Sequence, residues 1–168
     1  MKLVCVDNHP LIWGIREYAA DGQETMIHRT KAFFDDCRKN KIIIMVPSIV
    51  VGELLTAIEP KHHPLIINLL KNSFQILPYD TQASALFAKL WREKKESGLV
   101  DIIKDELQAT RQELKADCMI VATAIAKNAT VIYSHDKKLK KFANGNIDVR
   151  EIPLLQYQES LDVELEEG

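Results

Sequence analysis

The sequence predicts an α/β protein built around a parallel sheet of about five strands. Short apolar runs alternate along the chain with longer amphipathic stretches, which is the pattern of repeated strand–helix–strand units. The 168 residues are near the size of one domain, and 46% of them are hydrophobic, enough for a single core. We expect one folded domain over residues 1–155 and an acidic, flexible tail over residues 156–168.

Each predicted strand is a short apolar run that ends at a polar residue or a proline. The first ends at Asp7 and the second at Pro47, since proline interrupts a strand interior. No internal repeat or interdomain linker separates these runs, so they belong to one sheet. The predicted strands cover residues 2–6, 42–46, 74–78, 130–134 and 147–152.

The predicted helices follow from capping residues and from apolar side chains at helical spacing. Ser48 is expected to cap a helix that runs to about Ile58. The clearest helix lies between its cap Asp80 and the closing Gly98, with an apolar stripe that includes Trp91. Other helices are predicted at 26–40, 64–71, 100–116 (a weaker pattern), 118–126 (buried on nearly every side) and 137–142.

The overall charge does not favour nucleic-acid binding by the whole surface. Lysine and arginine number 22 against 24 acidic residues, which gives a net charge of −2. Any attraction for a polyanion must come from a local patch. One such patch follows Asp136, and it is explained equally well by RNA phosphate contacts or by a solvated helix face. Its residues are Lys137, Lys138, Lys140 and Lys141.

The chain has no predicted membrane segment and no predicted disulfide. The longest apolar run is interrupted by Pro47 and is too short to cross a bilayer, and Asp7 comes too early for a signal peptide. The three cysteines lack a C-x-x-C pair, so we expect them to be buried and reduced in a cytoplasmic protein. They are Cys5, Cys37 and Cys118.

Four acidic residues are predicted to meet at the carboxyl edge of the sheet, where open parallel sheets place their sites. Asp7 directly follows the first strand, and Asp136 follows the fourth. Asp117 is expected to begin the buried helix, and Glu53 lies just over one turn into the helix after the second strand. Each acid alone is better explained as a helix cap or a surface residue, except that for Asp7 and Asp117 the two explanations are about equal. Their joint placement favours a shared site.

A divalent metal ion would explain why these acids are grouped. Glu53 and Asp117 adjoin strongly apolar segments, where a carboxylate is costly unless it is paired or coordinates a cation. Grouped carboxylates also raise one another's pKa values. Because hard oxygen ligands suit Mg²⁺ and Mn²⁺, the sequence favours one of these ions.

Four segments of the chain, in the right order and spacing, resemble the conserved blocks of the PIN domain family. The likeness extends from the N-terminus to about residue 152 and is closest to the VapC toxins of bacterial toxin–antitoxin systems. The segments are Val4–His9 with Leu11–Trp13, Val46–Leu55, Asp117–Ala124 and Val131–Asp136.

This resemblance implies a three-layer α/β/α fold with strand order 3-2-1-4-5 and Mg²⁺- or Mn²⁺-dependent cleavage of RNA by metal-activated water. It also implies a homodimer that is restrained by an antitoxin protein. In this reading Asp7 and Asp117 are the principal metal ligands, Glu53 acts through metal-bound water, and Asp136 completes the set. Ser134 takes the position of a small hydroxyl residue that orients a ligand or water.

Two departures from the family pattern affect this reading. Asn8 stands where the family often has threonine or serine, and the stretch from Gly98 to Asp117 is longer than usual. They motivate an alternative, a catalytically silent PIN-fold module that binds RNA or another protein. A phosphoacceptor or phosphatase is less favoured, because Asp7 is not part of an acidic pair. His9 and His135 are expected to be incidental, and Trp13 and Trp91 to pack in the core or at an interface rather than to stack on RNA bases.

Overall fold

The computed structural model describes residues 1–155 and contains one parallel sheet of five strands. The strand order is β3-β2-β1-β4-β5, so the three-layer α/β/α prediction and its strand order are confirmed. The predicted tail, 156–168, lies outside the described residues. The strands are β1 (Leu3–Val6), β2 (Ile43–Pro47), β3 (Gln75–Leu77), β4 (Val131–Tyr133) and β5 (Asp148–Arg150).

The register of the sheet places the end of β1 beside the end of β4. Cys5 of β1 pairs with Met45 on one side and with Ile132 on the other, and Val6 pairs with Tyr133. All neighbouring strands are parallel, so their carboxyl ends meet at one edge. Residues that directly follow β1 and β4 are therefore neighbours in space although they are far apart in sequence.

The helices pack in two layers around this sheet. Helices α1 and α2 pack against each other, and α5 packs along α7. None of the helices in the described part of the chain is long and apolar enough to cross a membrane. The helices are α1 (Asn8–Gly14), α2 (Thr25–Lys39), α3 (Ser48–Thr56), α4 (His63–Ser73), α5 (Thr81–Glu96), α6 (Leu99–Leu107), α7 (Arg111–Ala126) and α8 (Lys137–Ala143), with a short 3₁₀ turn at Pro60–His62.

The long stretch before Asp117 is part of the folded core. It forms α6 and the first turns of α7, which pack with α5 and α8. Ile103 and Leu114 from this stretch have no exposed surface. The chain reverses between the two helices at Gln108, whose φ of 53° lies in the left-handed region. The residues of this stretch therefore form part of the core on the side of the sheet that carries α7.

The starts of α3 and α7 have other caps than the sequence predicted, and α1 was not predicted at all. Ser48 is the first residue of α3 rather than its cap, because Pro47 at the end of β2 occupies the cap position. The Ser48 hydroxyl instead accepts a hydrogen bond of 3.2 Å from the backbone N–H of Tyr79. Asp117 does not begin its helix, because α7 starts six residues earlier, at Arg111, where Thr110 supplies the cap.

Candidate metal centre

Asp7 is a buried carboxylate that joins the end of β1 to the start of α1. Its side chain is only 5% exposed. Oδ1 caps α1 by accepting a hydrogen bond of 3.2 Å from the backbone N–H of His9. Oδ2 accepts a hydrogen bond from the hydroxyl of Ser134. The orientation of Asp7 is therefore fixed by one group from its own helix and one from the neighbouring strand connection.

Ser134 connects Asp7 to the segment that carries Asp136. Ser134 lies directly after β4, is 2% exposed, and its Oγ accepts a 3.0 Å hydrogen bond from the Asp136 backbone N–H. Asp136 in turn caps α8, because its Oδ1 accepts a 2.7 Å hydrogen bond from the backbone N–H of Lys138. One hydroxyl thus links two of the four predicted acids.

Asp117 enters the same region from the middle of α7. It is 8% exposed, and its Oδ2 is buried without any hydrogen-bond partner. The Oδ1 atom of Asn8, on α1, is also buried and unpaired. Burying polar oxygen atoms without partners costs free energy, so each of these atoms lacks a partner that a bound cation or hydrogen-bond donor would supply.

Glu53 completes the acidic group from α3, where it is half-buried. All four acids line one cavity of about 410 Å³ at the carboxyl edge of the sheet. The cavity is lined by Asp7, Asn8, His9, Glu53, Gln112, Glu113, Ala116, Asp117, Ile120, Asp136, Lys138 and Leu139.

The carboxylates of this cavity are difficult to ionise together. Burial, together with the charges of Asp136 and Glu53, raises the pKa of Asp7 to about 7, although hydrogen bonds from Ser134 and His9 oppose the rise. Burial and the charge of Asp136 raise the pKa of Asp117 to about 8, and Lys138 opposes that rise. Burial and Asp136 also raise the pKa of Glu53. At neutral pH the cavity therefore lacks the neighbouring positive charge that would let all of its carboxylates ionise together.

The donor atoms of the cavity fit a hard divalent cation, although they are not arranged as a finished site. Within residues 1–155, no group of three or more His, Cys, Asp or Glu side chains already has the geometry of a metal site. The unpaired Oδ2 of Asp117 and the mutual repulsion of the acids are the features that a cation would relieve. Oxygen donors of this kind suit Mg²⁺ or Mn²⁺.

A larger cavity of about 780 Å³ lies at the opposite edge of the sheet. It is bordered by the beginnings of β2 and β3 and by the C-terminal half of α2. None of the four predicted acids lines it, and its cations include Lys41 and Lys71. The volume of a cavity therefore does not identify the candidate metal centre, whereas the four carboxylates of the smaller cavity do.

The four lysines that follow Asp136 occupy different environments. Lys138 lines the acidic cavity and forms an ion pair with Glu113. Lys141 forms an ion pair with Glu106 of α6. Lys137 and Lys140 are exposed. The segment therefore does not present one uniform basic face, and Lys138 is the member in contact with the candidate site.

His135 and Trp13 contact each other and buried parts of the fold. The Nε2 of His135 accepts a 3.0 Å hydrogen bond from the backbone N–H of the buried Ile152, and its ring packs edge-on against Trp13 at 4.9 Å. Burial lowers the pKa of His135, which favours the neutral ring that accepts this hydrogen bond. Trp13 is 3% exposed and stacks on His9 at 5.5 Å. Trp91 packs between Phe87 and Phe142.

Glu113 is a residue of the cavity that the sequence reasoning missed. It stands at the third position of α7 and forms a reciprocal capping box with Thr110. The signal was present in the sequence, since Thr110 and Glu113 have the T-x-x-E spacing of such a box before an apolar helix. This box predicts a helix that begins at Arg111, with Asp117 inside it rather than at its start.

Comparison with known proteins agrees with this architecture. A family model described as PIN domain matches residues 5–145. A chain of the VapBC2 complex from Rickettsia felis, bound to a DNA fragment from its promoter, superposes with a TM-score of 0.65 at 15% identity, over 90% of this chain and 99% of that one. A chain of DNA-bound VapBC from Salmonella typhimurium gives a TM-score of 0.63 at 16% identity, over 91% and 100%. No curated protein gave a significant sequence match.

Proposed function

Because the chain belongs to the PIN domain family, we propose that it is a divalent-metal-dependent endoribonuclease of the VapC-like toxin group. The observation that carries the proposal is the acidic cavity, where Asp7 and Asp117 are both buried with pKa values raised to about 7 and about 8. Carboxylates with strongly raised pKa values in one cavity are candidates for a functional site.

The side chains of the cavity have different tasks in this proposal. Asp7 and Asp117 are the principal ligands for Mg²⁺ or Mn²⁺, since the first is oriented by two hydrogen bonds and the second has an unpaired oxygen. Asp136 and Glu53 complete the acidic set around the cavity. Ser134 holds Asp7 in place and fixes the backbone at Asp136, which is the role of a supporting residue.

Hydrolysis of a phosphodiester requires a nucleophilic water and relief of negative charge on the phosphate. A bound divalent metal ion supplies both, by lowering the pKa of water and neutralising phosphate oxygens. Glu53 is half-buried and its pKa is raised, so its carboxylate is suited to take the proton from the attacking water. We assign His135 no part in this step, because it does not line the cavity and its Nε2 accepts a hydrogen bond from the backbone N–H of Ile152.

RNA cleavage by purified protein with Mn²⁺ or Mg²⁺ tests the proposal. We expect Asp7→Asn and Asp117→Asn each to reduce the cleavage rate at least about a hundredfold, since each removes a metal ligand. Asp105→Asn is the matched control, because Asp105 is an exposed residue of α6 that does not line the cavity. Wild-type rates in both cavity variants would disprove the assigned site.

A second candidate function is a catalytically silent module that binds RNA or a protein. One observation favours it, namely that the acids among residues 1–155 do not already form a metal-ligand group. Calorimetric titration with Mn²⁺ separates the two functions. Heat of binding that disappears in Asp117→Asn supports the nuclease, whereas no binding at millimolar Mn²⁺ supports the silent module.

We also propose an antitoxin partner, a homodimer and a cytoplasmic location. An antitoxin partner is supported by the toxin–antitoxin complexes to which the fold is similar. A protein interface is supported by α4, where Leu65 and Leu69, one turn apart, are 61% and 43% exposed. A reducing compartment is supported by the three free, buried cysteines. Co-purification and analytical ultracentrifugation test the first two.

A further inference from the structure

The side chain of Lys138 is held in a defined position at the acidic cavity. Its Nζ donates a hydrogen bond of 3.0 Å to Oε1 of Glu113, and the lysine side chain is 26% exposed. Its backbone N–H donates to Oδ1 of Asp136 at 2.7 Å. Both ends of this long residue are therefore fixed by carboxylates that line the same cavity.

Glu113 is itself anchored by the cap of α7. Its Oε2 accepts a 2.7 Å hydrogen bond from the backbone N–H of Thr110, and its own backbone N–H donates to Oγ1 of Thr110 at 3.2 Å. Because backbone and carboxylate are both bound, Glu113 has little freedom to change rotamer. The position of the Lys138 ammonium is therefore set by the first turn of a long helix.

The charges that line the cavity make this ammonium important for an anionic substrate. Within the described part of the chain, the lining includes five carboxylates but a single lysine and no arginine. A phosphodiester that enters is repelled by the carboxylates and attracted by Lys138. An ammonium group has three N–H donors, and Glu113 uses one of them, so two remain for phosphate oxygens.

We infer that Glu113 is a positioning residue that holds the Lys138 ammonium at the cavity, where Lys138 binds a phosphate group of the RNA strand. The inference rests on the proposed ribonuclease function. It also separates Lys138 from the rest of its segment, since Lys141 is paired with Glu106 outside the cavity. The capping box of α7 thus has two effects, starting the helix and placing a substrate-binding cation.

The test compares Lys138→Gln, Glu113→Gln and the double variant with wild type. Glutamine at residue 113 keeps the capping box, because glutamine serves at that position as glutamate does. Lys127→Gln is the matched control: Lys127 is a comparably buried lysine, 19% exposed, paired with Asp80 at the other end of α7. The substrate is a labelled single-stranded RNA of mixed sequence at saturating Mn²⁺, and kcat and KM are measured at several salt concentrations.

We expect Lys138→Gln to raise KM about tenfold while kcat changes little, which is the loss expected for one charged hydrogen-bonded contact. The slope of log KM against log salt concentration should fall by about 0.7, as for one lost phosphate contact on a single strand. Glu113→Gln should raise KM roughly threefold, and the double variant should match Lys138→Gln because the two residues act together. Lys127→Gln should keep the wild-type KM and salt slope.

Several results would overturn the inference. Unchanged KM and salt slope in Lys138→Gln, with RNA cleavage intact, would do so without affecting the proposed function. Tighter Mn²⁺ binding in that variant with an unchanged KM would identify Lys138 as a counter-ion for the acids instead. If the effects of the two substitutions on KM were additive in the double variant, Glu113 would act only in the cap of α7 and not through Lys138. Wild-type protein that does not cleave RNA at all would reject the proposed function and this inference together.

Discussion

The hydroxyl of Ser134 donates a hydrogen bond to Oδ2 of Asp7, across the boundary between β4 and β1. The same hydroxyl oxygen accepts from the backbone N–H of Asp136 at 3.0 Å. The bond to Asp7 favours the ionised carboxylate, so it lowers a pKa that burial raises. The hydrogen bond from Ser134 therefore orients the side chain of Asp7, a proposed metal ligand, and favours its negative charge.

Replacing Ser134 by alanine should weaken metal binding without unfolding the protein. Asp7 loses an orienting donor, and its pKa rises further, so we expect Mn²⁺ affinity to fall about tenfold to a hundredfold. The rising limb of the pH–rate profile should also move to higher pH. Calorimetry and kinetics measure these effects, with Ser84→Ala as control because Ser84 bonds to the Asp80 carbonyl, outside the cavity. Unaltered Mn²⁺ affinity in Ser134→Ala would contradict the role given to the hydroxyl.

The metal-free protein should lose stability as the pH rises. The ordinary pKa of an aspartate carboxyl is 3.8, and the fold raises the pKa of Asp7 to about 7 and that of Asp117 to about 8. Between these limits the folded state binds more protons than the unfolded state, so the free energy of unfolding contributed by these groups falls from about pH 4 to about pH 8. Melting curves in EDTA at about pH 5, 6.5 and 8 measure the decline.

A double variant, Asp7→Asn with Asp117→Asn, supplies the control for that decline. Neither asparagine titrates, so its melting temperature should depend less on pH than that of wild type. Adding Mn²⁺ to wild type at about pH 8 should restore stability, since a ligand that binds only the folded state shifts the equilibrium toward it. The same slope in wild type and the double variant would show that other groups cause the decline.

Gly14 and Gly52 should respond in opposite directions to alanine. A Cβ atom at Gly14 would overlap with Cε2 of Phe34, and the buried aromatic ring cannot easily move away. Gly14→Ala should therefore destabilise the protein by about 1–3 kcal/mol. A Cβ at Gly52, inside α3, meets nothing within 4 Å, so Gly52→Ala should stabilise by about 0.5–1 kcal/mol. Urea denaturation measures both. Two changes of the same sign would contradict the packing described.

His135→Ala should destabilise the fold while metal binding persists. The substitution leaves the buried Ile152 backbone N–H without its acceptor and removes the edge of a ring from Trp13, at a cost of about 2–3 kcal/mol. Mn²⁺ affinity should stay within about twofold of wild type, because His135 does not line the cavity. If instead the variant keeps its stability and loses RNA cleavage, His135 has a chemical role.

The sequence was sufficient for the sheet and for the grouping of the acids, but not for every local detail. Asp7 and Asp136 were readable because each follows an apolar strand, and parallel strands bring such residues to one edge. The sequence predicted that Asp117 lies with the other acids, but it wrongly placed Asp117 at a helix start. The apolar pattern before Asp117 is weak, so the helix was not extended back to the capping box at Thr110. The Lys138–Glu113 pair depends on how α7 crosses α8, which no local pattern encodes.

The strand order has a consequence for when the site can exist during synthesis. The central strand β1 carries Asp7 and leaves the ribosome first, whereas its partner β4 and the adjoining Ser134 and Asp136 emerge only after most of the chain. Asp7 lacks its hydroxyl donor until that late segment joins the sheet. A growing or truncated chain that stops before β4 therefore lacks Ser134 and Asp136, and under the proposed function such an incomplete product would not cleave RNA.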